Sequence, residues 1–291
     1  VAVKSGTLYL VATPIGNLED ISLRGLRILR QVPRIACEDT RQTAKLLRHY
    51  EISTPTLAFH KFNEHRVLQA ILQRLLAGED LALVTDGGTP VISDPGFSLV
   101  RAASEKAIPV VPVPGASAPL TALIASGLPA DRFLFLGFLP HRSSQRQKLF
   151  EELRDRRETL VCFDSPRRVR RSLEEMAAHW GDRQAVLCRE MTKLHEEFRR
   201  GRLRVLASGL EEHSVKGEIT LVVQGAGETQ PVAEADLDLR REVQEAIGKG
   251  LSHRDAVRSV AKRFSVPRRE VYRISRPGLS KRARHPAGED E

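Results

Sequence analysis

The first half of the chain keeps returning to one pattern: a short apolar run, a loop of glycine, proline and small residues, then a stretch with helical periodicity. Residues 7–12 (TLYLVA) predict a buried strand, followed by the turn Pro14-Ile15-Gly16-Asn17 and a helix over 22–31. A second strand is expected at 34–37 and a helix at 40–49. The spacing of Val67, Leu68, Ile71, Leu72, Leu75 and Leu76 gives 64–77 one apolar side of a helix. Strands follow at 81–85 and 110–113, with helices at 97–105 and 119–126. Strands that alternate with helices need crossover connections, so the expected architecture is a mainly parallel α/β sheet.

Four loops in this half are dominated by small residues: Thr13-Pro14-Ile15-Gly16-Asn17, Thr85-Asp86-Gly87-Gly88-Thr89-Pro90, Ser93-Asp94-Pro95-Gly96 and Val113-Pro114-Gly115-Ala116-Ser117-Ala118. The C-terminal ends of parallel strands share one edge, and open α/β sheets bind ligands there. None of the loops fits GxGxxG or GxxxxGK[ST], which excludes the dinucleotide and P-loop phosphate readings.

The second half reads differently. A crossover is expected at 128–142, with a short strand candidate at 133–136 closed by Gly137 and Pro140, and a charged helix at 143–157. Strands are expected at 159–163, 184–189 and 218–224, with a helix at 167–179. Residues 225–238 look like a linker, and beyond them three short helices are expected at 239–247, 252–264 and 267–274, with Ser252 and Pro267 as start signals. The expected domains are thus an N-terminal α/β lobe at 1–128, a second α+β lobe at 129–226, a basic helical module at 239–276 and a flexible tail at 277–291.

Charge narrows the class of partner. The chain carries 46 Lys+Arg against 37 Asp+Glu, an excess of 46 − 37 = +9. Residues 240–285 alone hold 14 Lys/Arg and four Asp/Glu, a net +10, and 141–171 hold ten and five, a net +5. The remainder is 9 − 10 − 5 = −6. An acidic body with two basic patches points to a polyanion, nucleic acid ahead of a membrane surface. The scattered Cys37, Cys162 and Cys188 form no disulfide or zinc pattern, and no secretory leader is read at the start; a cytoplasmic location is expected. The histidines lack metal-ligand spacing, so no metal site is expected. Residues 107–130 are uncharged and long enough to span a bilayer, but five prolines there exclude a membrane helix.

TLYLVATPIGNLEDIS, ACEDTRQTAKLL, LVTDGGTPVISDPG, VPGASA, SGLP, FLGFLP, FDSPRR, CREMTKLHEE and GEITLVV follow one another along residues 7–223. In this order they resemble the tetrapyrrole (precorrin) methylase superfamily, and within it the ribosomal RNA small subunit methyltransferase I family. The resemblance implies a two-lobed α/β fold, each lobe a sheet flanked by helices, plus a small helix-turn-helix-like module. It implies a homodimer, S-adenosylmethionine as cofactor, and 2′-O-methylation of a cytidine in the decoding region of 16S ribosomal RNA or the small subunit. Carried onto this chain, Pro14, Gly16, Gly88, Thr89, Ile92, Ser117, Ala118, Phe163 and Glu218 would border the cofactor. Where precorrin methylases carry Gly-Asp-Pro, this chain has Gly88-Thr89-Pro90. The missing carboxylate weakens a tetrapyrrole substrate. Methylation of a tetrapyrrole or protein, and a non-catalytic ribosome-assembly factor, are the alternatives.

A ribose hydroxyl is a weak nucleophile, and a positioned base would help it react. Glu38 and Asp39 in CEDTR, Asp94 in SDPG, and Glu190 with Lys193 in CREMTK are the candidates. Their bland readings are a helix cap for Asp39 and a surface ion pair for Glu190 with Lys193. For RNA, the candidates are Arg41, Arg167, Arg168 and Arg170 near the cleft, and Arg254, Arg258, Lys262, Arg268, Arg269 and Arg273 in the helical module. The loop from His60 to His65 is polar, with Phe62 as a possible base-stacking ring.

Overall fold

A computed structural model describes residues 4–210, 216–227, 233–263 and 268–275. Its contacts divide the chain into two compact units, Val1–Ala226 and Gly227–Glu291.

The first unit opens with β1 (Leu8–Val11), α1 (Leu23–Gln31), β2 (Arg34–Cys37), α2 (Thr40–His49), β3 (Thr56–Ala58), α3 (Glu64–Leu76), β4 (Leu81–Leu83), α4 (Phe97–Glu105) and β5 (Val110–Val113). The strands form one parallel sheet in the order β3-β2-β4-β1-β5. Strand alternation sends successive side chains to opposite faces. Val11, Ile35, Ala82 and Val84 pack under α1 and α2, whereas Leu8, Ala36, Leu81 and Leu83 pack under α3 and α4. Burial on both faces explains the unbroken apolar runs in these strands.

Capping fixes where the helices begin. Ser22 Oγ accepts the Gly25 N–H at 3.0 Å at the start of α1, and Asp39 Oδ1 accepts the Arg41 N–H at 2.8 Å at the start of α2. From the neighbouring strands β1 and β4 the chain leaves in opposite directions, to β2 and to β5. That divergence opens a crevice at the carboxyl ends of the two strands. Across it the backbones of Thr13 and Gly88 pair both ways, each N–H to O distance 2.9 Å.

The same unit continues through α5 (Ala118–Ser126), β6 (Phe133–Phe138), α6 (Ser143–Glu152), β7 (Thr159–Asp164), α7 (Val169–Trp180), β8 (Gln184–Arg189), β9 (Glu197–Arg202), α8 (Leu203–Ser208) and β10 (Ile219–Val223). A second sheet runs β6-β7-β10-β8-β9, parallel only between β6 and β7. One face packs Leu160, Leu187 and Leu221 against Phe150, Leu173 and Trp180. The other packs Val161, Val186 and Val222 against Ala122 and Leu123 of α5, with Ile15 from the loop after β1 at its border. The first sheet's loops therefore reach the second sheet directly.

Several expectations are corrected. The charged helix at 143–157 stops at Glu152. Residues 197–202 (EFRRGR), read as no element, form the edge strand β9 because β8 supplies a complete antiparallel ladder and Arg189 and Arg199 balance Glu197. The short β3 and α8 were also unforeseen. A helix begins at Ala233, inside the stretch expected to be a linker.

The second unit holds α9 (Ala233–Gly248), α10 (His253–Arg263) and α11 (Arg268–Ser275) around Val243, Ala256, Val257, Val260 and Val271. Ser252 Oγ accepts the Asp255 N–H at 3.2 Å, as a helix cap should. The tail at 277–291 lies outside the described residues. Among the described residues, no helix is long and apolar enough to cross a membrane.

Candidate functional site

The crevice between β1 and β4 widens into a cavity of about 790 Å³, walled on its far side by the second sheet. That volume suits a nucleoside-sized ligand. Pro14, Gly16, Gly88, Thr89, Ile92, Ser117, Ala118, Phe163 and Glu218 all line it, as does Lys193. Glu38, Asp39 and Glu190 do not.

Small residues let these loops interlock. A Cβ on Gly16 would lie 2.4 Å from Lys193 Cγ, 2.7 Å from Thr192 Oγ1 and 3.0 Å from the Met191 carbonyl oxygen. The Asn17 N–H donates to Thr192 Oγ1 at 3.1 Å. Thr13 Oγ1 donates to the Thr85 carbonyl at 3.0 Å, and Thr89 Oγ1 to the Ala116 carbonyl at 3.1 Å. The backbone is strained beside these contacts. Val91, Ser93, Glu190 and Thr192 have φ of 77°, 66°, 49° and 66°, a region that side-chain-bearing residues seldom occupy. Such strain concentrates at ligand sites.

Two charge systems face each other. On the first-sheet side, Asp86 and Asp94 line the cavity and Glu38 stands next to them. Burial pushes all three carboxyls above their ordinary range; the charges of Asp94 and Asp86 add to it at Glu38, that of Asp86 at Asp94 and that of Asp39 at Asp86, while hydrogen bonds pull the other way. Thr85 Oγ1 donates to Asp94 Oδ2 at 2.7 Å, and the Asp39 N–H to Asp86 Oδ1 at 3.0 Å. On the second-sheet side, Lys193 Nζ lies 2.9 Å from Glu190 Oε1 and 3.2 Å from Glu218 Oε2. Glu190 also accepts the Glu218 N–H at 2.9 Å. Partial burial of Lys193 opposes its charge, but these carboxylates outweigh it and raise its proton affinity. The Lys193 hydrogen bond in turn holds Glu190 below the usual carboxylate range.

The remaining candidates sort by partner. Asp39 is the cap of α2, and its bidentate pair with Arg41, closest at 2.7 Å, holds its carboxyl at about 2. Arg41 is otherwise exposed. Arg167 is exposed just after Ser165 and Pro166, which line the cavity. Arg168, expected to grip phosphate, is instead turned inward: its guanidinium meets Asp164 Oδ1 at 2.5 Å, the Leu139 carbonyl at 2.6 Å and His141 Nδ1 at 2.9 Å. Arg170 pairs with Glu174 along α7 at 3.1 Å. In the helical unit Arg254, Arg258 and Arg268 are exposed, while the side chains of Lys262, Arg269 and Arg273 lie outside the described residues. No cluster of His, Cys, Asp and Glu fit to hold a metal occurs among the described residues.

Sequence reasoning overlooked Asp86, Lys45 and Phe138, which also line the cavity. An acid closing a strand before Gly-Gly was a usable signal for Asp86. Phe138 arrives through the fold alone, its ring centroid 5.1 Å from that of Phe163.

A family profile described as Tetrapyrrole (Corrin/Porphyrin) Methylases matches residues 7–207. A ribosomal RNA small subunit methyltransferase I of Halalkalibacterium halodurans is 43% identical over 272 residues, 92% of this chain and 94% of that protein. The protein of the same name from Bacillus subtilis is 41% identical over 271 residues, covering 92% and 93%. Among solved structures, a diphthine synthase superposes with a TM-score of 0.62 at 18% identity, over 76% of this chain and 90% of that one. A cobalt precorrin-4 methyltransferase of cobalamin biosynthesis gives 0.57 at 16%, over 75% and 94%. At such identities these two similarities establish the fold alone.

Proposed function

This chain belongs to the ribosomal RNA small subunit methyltransferase I family, within the tetrapyrrole (corrin/porphyrin) methylases, and from that premise we propose that it methylates the ribose 2′-hydroxyl of a cytidine in the decoding region of 16S ribosomal RNA. The observation that carries the proposal is the meeting, in one cavity, of glycine-rich loops, apolar rings and two proton-hungry carboxylates.

The residues present fit S-adenosylmethionine. Gly16 and Gly88 leave backbone open to close approach, Ile92, Phe138, Phe163 and Met191 offer apolar surface for a nucleobase, and Asp86 and Asp94 favour a cation. Bound there, the cofactor supplies an electrophilic methyl group. Ser117, Ala118, Pro14, Thr89 and Glu218 complete the proposed cofactor shell.

A carboxylate of raised basicity is a better proton acceptor for a hydroxyl. Asp94, oriented by Thr85, is therefore our choice of base, with burial and then the charge of Asp86 raising its proton affinity. Lys193 stays a cation under the hold of Glu190 and Glu218, so it serves to orient the acceptor oxygen or an adjoining phosphate rather than to take the proton. The exposed Arg167 at the cavity and Arg254, Arg258 and Arg268 in the helical unit supply cations for phosphate.

We further propose cytoplasmic action on 16S RNA or the small subunit by a homodimer. Exposed Leu120 and Ile124, one turn apart on α5, are the apolar surface that favours self-association. Residues 1–128 and 129–226 would act as the lobes that enclose the cofactor, and 239–276 as the RNA grip. Incubating the protein with methyl-tritiated cofactor and small subunits or their RNA should place label in ribose; label confined to a tetrapyrrole or a protein would overturn the proposal. Sedimentation velocity at micromolar concentration tests the dimer.

A further inference from the structure

Phe62 is 86% exposed, yet it does not sit on a loose loop. The His60 N–H donates to Asn63 Oδ1 at 2.8 Å, Asn63 Nδ2 donates to the Ala58 carbonyl at 2.9 Å, and the N–H groups of Asn63 and Glu64 both donate to the His60 carbonyl at 2.9 Å. The five residues 59–63 between β3 and α3 are thus tied into one ordered turn with an aromatic ring projecting into solvent. Within this chain the ring meets only an edge of His60, centroids 6.1 Å apart, and the Lys61 ammonium, so most of its apolar surface is displayed to water.

The loop stands at the working edge of the first sheet. It follows β3, so it shares the strand-end edge with the cavity loops. Lys61 lies close enough to Glu38 to counter its raised proton affinity, and Glu38 in turn feels Asp94 and Asp86 of the cavity wall. Ser98 Oγ donates to Glu64 Oε1, which joins the start of α4 to the start of α3. The neighbour of Ser98, Phe97, is a second exposed ring, 67% open to solvent.

Charge identifies what fits there. The first-sheet wall of the cavity carries Asp86 and Asp94, which repel phosphate, so a strand reaching the cavity gains from cations outside that wall. Lys61 is exposed with its Nζ 5.0 Å from the Phe62 ring centroid, and Arg66 is exposed one turn into α3. Rings interleaved with cations form the surface on which unpaired nucleotides stack while their phosphates are neutralised.

We propose that the Phe62 ring is a stacking platform for an unpaired base of the RNA strand that enters the cavity, with Lys61 and Arg66 holding the adjoining phosphates. The inference rests on the RNA reading above and extends it to a strand path outside the cavity.

Three variants of the whole chain test it. In Phe62→Ala, KM for small-subunit RNA should rise about tenfold, the scale of one lost stacking contact, with cofactor affinity retained. Phe62→Trp should restore KM, and a single-stranded oligoribonucleotide should quench its added indole fluorescence relative to wild type, in which Trp180 is buried. KM within twofold of wild type in Phe62→Ala, rescue by Phe62→Leu as good as by Trp, or an unquenched indole would each overturn the proposal. So would a Phe62→Ala change in sedimentation with unaltered RNA titration, which assigns the ring to contact between copies. If wild type transfers no methyl to ribosomal RNA, the methylation reading fails, while quenching still decides the stacking.

Discussion

At position 16 the space left by a missing side chain is filled by the loop that carries Lys193. The lysine stem could swing away from a new Cβ, but the Met191 carbonyl 3.0 Å off is backbone and has no such freedom. Gly16→Val should therefore displace the 190–193 loop and weaken cofactor binding at least about tenfold, ~1.4 kcal/mol, by equilibrium dialysis. Asp94 makes a different prediction, because its carboxyl is costly to ionise. Burial, and then the charge of Asp86, raise its proton affinity in the folded chain, opposed by the Thr85 hydrogen bond. The folded state then binds more protons than the unfolded one as pH climbs past the ordinary Asp value of about 4, so stability falls with rising pH over that window. Asp94→Asn removes the penalty and keeps an acceptor for Thr85. Its Tm should exceed wild type at pH 7 and converge with it near pH 4, while methyl transfer drops on the order of a hundredfold. A wild-type rate at pH 7 would remove Asp94 from the chemistry.

The junction of β7 with α7 shows how an element reassigns residues that look alike in sequence. The RRVRR run reads as one cationic patch, but the strand end turns Asp164 inward with a fully buried side chain, and Arg168, 15% exposed, follows it. Arg170 and Arg171 meet Glu174 and Glu175 one helical turn on. Arg168→Ala should strand the Asp164 charge and cost about 3–5 kcal/mol in urea unfolding. Arg167→Ala should change stability by no more than about 0.5 kcal/mol while lowering RNA affinity in filter binding. Equal stability losses would mean the two arginines do the same job. The i,i+4 pairing was legible beforehand; the inward turn of Arg168 was not, because it depends on Leu139 and His141 from the loop between β6 and α6. The same divide runs through the fold. The parallel strands were legible because burial on both faces writes unbroken apolar runs, whereas β9 was hidden because an edge strand with a solvated face needs only a partner. In the cavity, glycine loops and a family resemblance marked the lining residues after β1, β4 and β5, while Phe138 and Lys45 come from a bulged strand and a helix face that no local pattern flags.

Along the whole chain the excess of cations falls in residues that do not belong to the unit holding the cavity. Residues 240–285 carry 14 − 4 = +10 against +9 for the full chain, so the body that holds the cavity has no net attraction for a polyanion except through its own patches. An acidic wall suits a sulfonium donor but repels RNA, and a basic unit with cations of its own would supply the affinity that such a wall withholds. Each phosphate that such a unit neutralises steepens the dependence of log affinity on log salt by about 0.7 to 0.9. Arg254, Arg258 and Arg268 are exposed, so replacing all three with alanine should cost little stability and lower the slope by about 2 to 3 in RNA titrations between 50 and 200 mM salt. Cofactor affinity, set within Val1–Ala226, should stay at its wild-type value. A slope unchanged by the triple substitution would put the RNA grip on Arg167, Lys61 and Arg66 beside the cavity, and would leave the net charge of the helical unit without a part in substrate binding.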